Sequence, residues 1–167
     1  MLSLDVRSVA QHAAAVSGEI DPSDPVWSDA DVVPSAPVSV AGRVSSAGSG
    51  RFYWAGHIRG TSSQLCTRCL EPVEVRVSED VRALYAMPGS EGGDDPDVYT
   101  LEPGSVIIDL RAAVREHWLL NVPRFALCSE DCRGLCPQCG ENLNVTTCAC
   151  APARDSRWDA LRSVRHD

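Results

Sequence analysis

PVSVAGRVSSAGSGRFYWAGHIRGTSSQLCTRCLEPVEVRV, residues 37–77, is the stretch that sets the fold class. Val38, Val40 and Val44 recur with the period of two that puts alternate side chains on one face of a strand. SSAGSG (residues 45–50) supplies the small, glycine-rich residues of a turn, and RFYWAGHIRG (residues 51–60) resumes a strand pattern. The two runs are expected to pair antiparallel. Val73, Val75 and Val77 alternate again with Glu74 and Arg76 on the opposite face, so a further strand follows the CTRC turn at residues 66–69.

Downstream the period changes. Leu110, Val114, His117, Trp118 and Asn121 follow the three-four spacing of an amphipathic helix, widened by Leu119 and Leu120. Asp109 is placed to cap it and Pro123 to stop it, which predicts a helix over 109–121. A short last helix is expected from Asp155, with Trp158, Leu161 and Val164 or Arg165 along one side. Strands followed by a helix give an α+β domain: an antiparallel β-sheet, one longer helix and a cysteine-rich, zinc-knuckle tail.

The 167 residues are 44% hydrophobic but only 5% aromatic, so the core is expected to be aliphatic and modest. The formal charge is -8, unevenly spread. Glu19, Asp21, Asp24, Asp29 and Asp31 fall between Arg7 and Arg43, and Glu91, Asp94, Asp95, Asp97 and Glu102 fill a second stretch without a base. Those two segments carry all of the excess, leaving +2 for the remainder. The acidic average therefore weakens, without excluding, contact with nucleic acid. Every basic side chain other than histidine is arginine. The opening MLSLDVRSVAQHAAAVSGEI has Asp5 and Arg7 inside its first apolar stretch, unlike a signal peptide, and no apolar run is long enough to span a membrane. A cytoplasmic location is expected, where thiols stay reduced and clustered cysteines favour metal over disulfides.

There are eight cysteines. Cys66 and Cys69 form one CxxC, and Cys128, Cys132, Cys136, Cys139, Cys148 and Cys150 crowd into CSEDCRGLCPQCGENLNVTTCAC. A CxxC turn sets two thiolates on one side of a tight loop, ready to share a tetrahedral ion. The glycine after CPQC lets the backbone curl toward a metal-bound sulfur. Eight ligands make two sites, and the spacing favours one of Cys136, Cys139, Cys148 and Cys150 and another of Cys66, Cys69, Cys128 and Cys132. Two structural zinc ions are the expected cofactors. Disulfides, buried free thiols and a rubredoxin-like iron centre acting as an electron carrier stay open alternatives.

Other candidates carry less. Arg51, Tyr53, Trp54 and Arg59, beside His57, are read either as a stacking face for single-stranded RNA or as core, and Arg68 and Arg133 as further partner contacts. His117 reads as a core histidine and Asp109 as a cap. Arg154, Arg157, Arg162 and Arg165 alternate with Asp155, Asp159 and Asp167, as on a solvated helix. No P-loop, dinucleotide fingerprint or nucleophile elbow occurs, so no enzyme is expected, with an RNA-processing activity as the alternative.

LCTRCLEPVEV, IIDLRAAVREHWLLNVP, CRGLCPQCGENLN, CAC and DSRWDALRSV together closely resemble the YceD family of large ribosomal RNA subunit accumulation proteins, over about residues 38–164. The N-terminal LDVRSV is similar to that family's opening strand. The resemblance implies a cytoplasmic bacterial factor without enzymatic activity, needed for 23S rRNA accumulation and large ribosomal subunit assembly. The implied partner is the large-subunit precursor, through a basic ribosomal protein, 23S rRNA or both, with no membrane and no small-molecule substrate. It matches Cys66 and Cys69 to the family's most characteristic pair and Cys136 and Cys139 to its knuckle. Members differ in having the C-terminal cysteine cluster. The expected organisation is an acidic, partly irregular segment at 1–37, a β-rich body at 38–127 with an acidic loop at 88–104, and a zinc-knuckle tail at 128–167 with a short final helix.

Overall fold

In the computed structural model, which describes residues 2–90, 95–151 and 157, the alternation of residues 37–77 becomes the middle of a five-stranded sheet. In chain order the elements are β1 (Ser3–Asp5), α1 (Val6–Gln11), β2 (Ala14–Ile20), β3 (Val38–Ser46), β4 (Arg51–Leu65), β5 (Pro72–Ala86), β6 (Val98–Thr100), β7 (Ile107–Asp109) and α2 (Arg111–Asn121). A single 3-10 turn at Pro25–Trp27 follows β2. The large sheet runs β2-β3-β4-β5-β6, and β1 pairs with β7 in a separate ribbon. β3 is antiparallel to β2 and β4, with Val40 opposite Ile58 and Val44 opposite Trp54. The expectation of an antiparallel sheet needs one amendment: β6 lies parallel to β5, Leu84 opposite Val98.

The chain divides into two units, Met1–Gln64 with Glu74–Arg124, and Leu65–Val73 with Phe125–Asp167. Segment 1–37 belongs to the first unit and residues 65–73 group with the tail. In the first unit, Val38, Val40, Val44, Phe52, Ile58 and Val81 from the sheet pack with Ile108, Leu110, Val114 and Trp118. Two tryptophans depend on bare backbone beneath them. The Trp54 indole lies over the cross-strand pair Gly42 and Gly56, where an added Cβ at either glycine would come within 2.7 Å of Nε1. Trp118 lies over Gly60 in the same manner, donates from Nε1 to the Val32 carbonyl at 3.0 Å, and meets Trp27 edge-on with ring centroids 6.0 Å apart.

Several sequence expectations change. LDVRSV is strand only through Asp5. From Val6 the chain turns into α1, which Asp5 caps by accepting the Arg7 N–H at 2.8 Å. Asp109 is the last residue of β7 and not the helix cap. It still accepts the Arg111 N–H at 3.0 Å, while Leu110 occupies the cap position without a side-chain bond. The buried stripe of α2 is Ala113, Val114 and Trp118, continued by Leu110 and Val122, so Leu120 stands exposed and His117 only half-buried. The final helix expected from Asp155, with Trp158, Leu161, Val164 and Arg165, lies outside the described residues, as do Glu91 and Asp94 of the acidic loop. No helix among the described residues is long and apolar enough to cross a membrane.

Candidate metal centre

The second unit is organised around sulfur. Its buried cluster is Cys66, Cys69 and Cys132, with Val73 and Leu135 packed against them. All four sulfurs of Cys66, Cys69, Cys128 and Cys132 lie within 4.8 Å of one another, as do those of Cys136, Cys139, Cys148 and Cys150. These are the two sets favoured by the spacing. In the first set Cys66 Sγ is 3.7 Å from Cys132 Sγ and Cys69 Sγ is 3.6 Å from Cys128 Sγ. Four sulfurs about 2.3 Å from a tetrahedral cation stand about 3.8 Å apart, whereas a disulfide brings two sulfurs to about 2.05 Å. The donor set and its spacing therefore fit a four-coordinate, thiolate-bound ion such as Zn²⁺. The first set is largely enclosed, with only Cys128 exposed, whereas Cys139 and Cys150 of the second face solvent.

The two CxxC turns are built alike. Cys66 N–H donates to the Glu71 carbonyl and Leu70 N–H to the Cys66 carbonyl, at 2.8 and 2.9 Å. Cys136 N–H donates to the Glu141 carbonyl and Gly140 N–H to the Cys136 carbonyl, again at 2.8 and 2.9 Å. Each curl needs a left-handed residue after the second cysteine. Gly140 meets this at φ 76°, but in the first turn the position is held by Leu70 at φ 61°.

Backbone amides prepare one thiolate in each set. Burial works against a charged Cys66, yet the N–H groups of Cys69, Cys128 and Arg68 bring its pKa down to about 6. The N–H groups of Cys139 and Gln138 bring Cys136 down to about 6 as well. At Cys69 the Glu71 N–H pulls downward, but burial and the neighbouring thiols win and push it up to about 12. The Cys139 thiol pushes Cys150 up to about 12. Each set thus holds a ready ligand beside thiols that shed protons as a cation enters.

Residues between the ligands tie the sets together. Asn144, in the loop that closes the second set, donates from Nδ2 to Cys132 Sγ of the first at 3.4 Å, lowering that thiol, and accepts the Arg133 N–H at 2.7 Å. Asn142 donates to Glu71 at 3.3 Å. Arg68, an expected partner contact, is exposed and also donates from its guanidinium to the carbonyls of Cys132 at 3.0 Å and Glu130 at 3.3 Å. Neither asparagine carries a local sequence signal beyond its place in GENLN. Of the remaining candidates, Arg133 is exposed in this unit, and Arg51, Tyr53 and Arg59 lie on the open side of β4 in the other. Trp54 has to be removed from the stacking face: it is 0% exposed, on the opposite side of the strand, inside the core.

Residues 54–165 match the family described as large ribosomal RNA subunit accumulation protein YceD. The chain belongs to the YceD family. Among curated relatives, an uncharacterized protein of Mycobacterium tuberculosis is 36% identical over 99 residues, 58% of this chain and 47% of the relative. The large ribosomal RNA subunit accumulation protein YCED homolog 1, chloroplastic, of Zea mays is 26% identical over 160 residues, 78% of this chain and 54% of the relative. An uncharacterized protein of Mycobacterium leprae is 32% identical over 115 residues, 66% of this chain and 51% of the relative. The chain spans about half the length of the curated relatives it matches. No solved structure gives a significant match. As a YceD protein, the chain belongs to a family named for large ribosomal RNA subunit accumulation, and it carries two four-cysteine groups able to hold a metal ion.

Proposed function

We propose that the protein is a non-enzymatic assembly factor of the large ribosomal subunit, supporting 23S rRNA accumulation in the cytoplasm. The family match over residues 54–165 carries this reading, and the paired cysteine sets supply its physical basis. Zinc in both sets would fix a small unit whose buried cluster, among the described residues, is three cysteines with Val73 and Leu135 beside them. Arg68, Asn142 and Asn144 would hold the ligand loops in register, presenting Arg133 and the exposed rim to 23S rRNA, a basic ribosomal protein or both. The acidic segments at 19–31 and 91–102 would screen RNA or imitate it for that basic partner. The test is affinity purification of the chain from its own growing cells, with sucrose-gradient separation and identification of bound RNA and protein. Recovery of 23S precursor and large-subunit proteins in particles lighter than the finished subunit is the expected result. Migration free of any ribosomal component would overturn the proposal.

A further inference from the structure

The side of the large sheet turned away from the core is unlike the rest of the chain. Alternation puts Arg43 of β3, Arg51 and Arg59 of β4, and Arg76 and Arg82 of β5 on this side, while their neighbours Val44, Phe52, Ile58, Val77 and Val81 are buried on the other. The side holds five arginines against three carboxylates, Glu19, Glu74 and Asp80, in a chain whose formal charge is -8. Asp80 is engaged with the His57 ring at 2.7 Å, and Glu74 accepts a hydrogen bond from Ser35. Among the described residues none of the five arginines forms an ion pair. By contrast, Arg7 and Arg111 pair with Asp5 and with Asp109 and Asp24.

The surface between the arginines is floored by small residues, Ala41, Gly42, Ala55 and Gly56. It carries three adjoining open depressions of about 450, 410 and 440 Å³. The first is rimmed by Arg82, the second by Arg59, and the third by Arg59 and Arg76, and His57 borders the first two. Tyr53 projects from the same side and is 36% exposed. Such depressions are too open to enclose a small molecule but suit flat groups laid on a sheet. Arg51 and Arg59 stand eight residues apart on one strand, so the basic side extends on the order of 27 Å along β4.

We propose that this side of β2–β5 is a docking surface for single-stranded RNA. The arginines would take successive phosphates, and unstacked bases would lie in the depressions against Tyr53 and His57. This rests on the RNA-linked reading above and deepens it by naming the contact surface. A protein partner is less well served: Tyr and Arg also anchor protein interfaces, but there they fill well-packed central pockets, whereas these arginines are spread over three strands around shallow open depressions, as a run of phosphates requires. A sheet side is also too broad to read the deep, narrow major groove of duplex RNA.

The test uses the full, zinc-loaded chain and fluorescence anisotropy with a labelled, unstructured RNA of roughly 12 nucleotides, titrated across salt concentrations. The Arg59→Gln/Arg76→Gln/Arg82→Gln variant is expected to bind at least about tenfold more weakly and to flatten the slope of log affinity against log salt by about 2. Tyr53→Ala is expected to weaken binding about tenfold with the salt slope unchanged. Arg124→Gln, an exposed arginine off this surface, should behave as the parent, and an unchanged far-ultraviolet spectrum and zinc content confirm folding. The proposal fails if the parent does not bind the RNA, if the triple variant keeps parental affinity and slope, or if a duplex of the same sequence binds as well. It also fails if, after nuclease digestion, these arginines are still needed to retain a ribosomal protein. On sucrose gradients the two readings separate. A triple variant that still migrates with large-subunit precursors sinks this surface and leaves the assembly role standing, whereas a parent that migrates with none sinks the assembly role.

Discussion

At Gly56 a methyl group would come within 2.7 Å of both the Ala41 carbonyl oxygen and Trp54 Nε1, and neither neighbour can withdraw without moving a strand. Gly56→Ala is therefore expected to destabilise the chain by about 3 kcal/mol, read as a lower urea midpoint at unchanged slope. Leu70 invites the opposite change. Its left-handed backbone is the conformation that the matching turn gives to Gly140, and its side chain is largely exposed. Leu70→Gly should stabilise the metal-loaded protein by up to about 1 kcal/mol, visible as a higher Tm. Asp109 gives the pH dependence a sign. Although partial burial opposes it, the Arg111 guanidinium and N–H hold this carboxyl below the ordinary carboxylate range. A depressed folded pKa contributes stability that is complete above the unfolded value and lost as pH falls through the folded one. The stability gap between the parent and Asp109→Asn should hold steady above the ordinary carboxylate range, about pH 5, and narrow as pH falls below it, measured by urea titration at each pH.

Among the elements, what the sequence revealed depended on whether the signal was local. The strand over residues 38–46 and the first part of the strand over 72–86 follow from valine alternation, and the two cysteine sets from ligand spacing. In RFYW, however, Phe52, Tyr53 and Trp54 sit on alternate sides, and aromatic character does not say which side is covered. Only the pairing of Val44 with Trp54, and the glycines that make room for the indole, commit Trp54 to the core. β1 was legible only through the likeness of LDVRSV to an opening strand, and its extent was not, because its partner β7 lies about a hundred residues away, Leu4 opposite Ile108. The contacts of Arg68 and Asn144 were hidden for the same reason, each reaching a group brought near only by the folded turns. The second unit is the part most exposed to metal loss, since among its described residues the buried cluster is made of the ligand cysteines themselves with Val73 and Leu135 against them. Zinc in comparable small sites is worth about 10 to 16 kcal/mol of apparent binding energy. Chelation should strip hydrogen-exchange protection from the amides of Cys66, Leu70, Leu135, Cys136 and Gly140. Protection of Val40, Ile58 and Val114 in the first unit should persist.

Over the whole molecule, average charge misleads. A net charge of -8 argues against nucleic acid, yet the acidic groups concentrate in two segments while five arginines share one side of the sheet. Deleting residues 91–97 tests whether the acidic segment acts as an RNA imitation. Association with a basic partner should weaken and lose salt dependence, while RNA binding should strengthen slightly, both read by titration in graded salt. Unchanged partner binding would remove that role.

The two cysteine sets also differ in how far the chain must travel to close them. Cys136, Cys139, Cys148 and Cys150 are all supplied within 15 residues, whereas Cys66 and Cys132 are 66 apart in sequence. Loop-closure entropy favours the shorter circuit by about 1.3 kcal/mol before any packing is formed. The tail set could therefore capture an ion as a local event, even in a nascent or unfolded chain. An ion in the other set would have to wait until the first CxxC is brought to Cys128 and Cys132. Once Asn144 has been ordered by the tail, its amide is already aimed at Cys132, so the early ion prepares the site of the late one. If both sets take up metal, ligand spacing alone would give their loading an order, the solvent-facing set first and the enclosed set last.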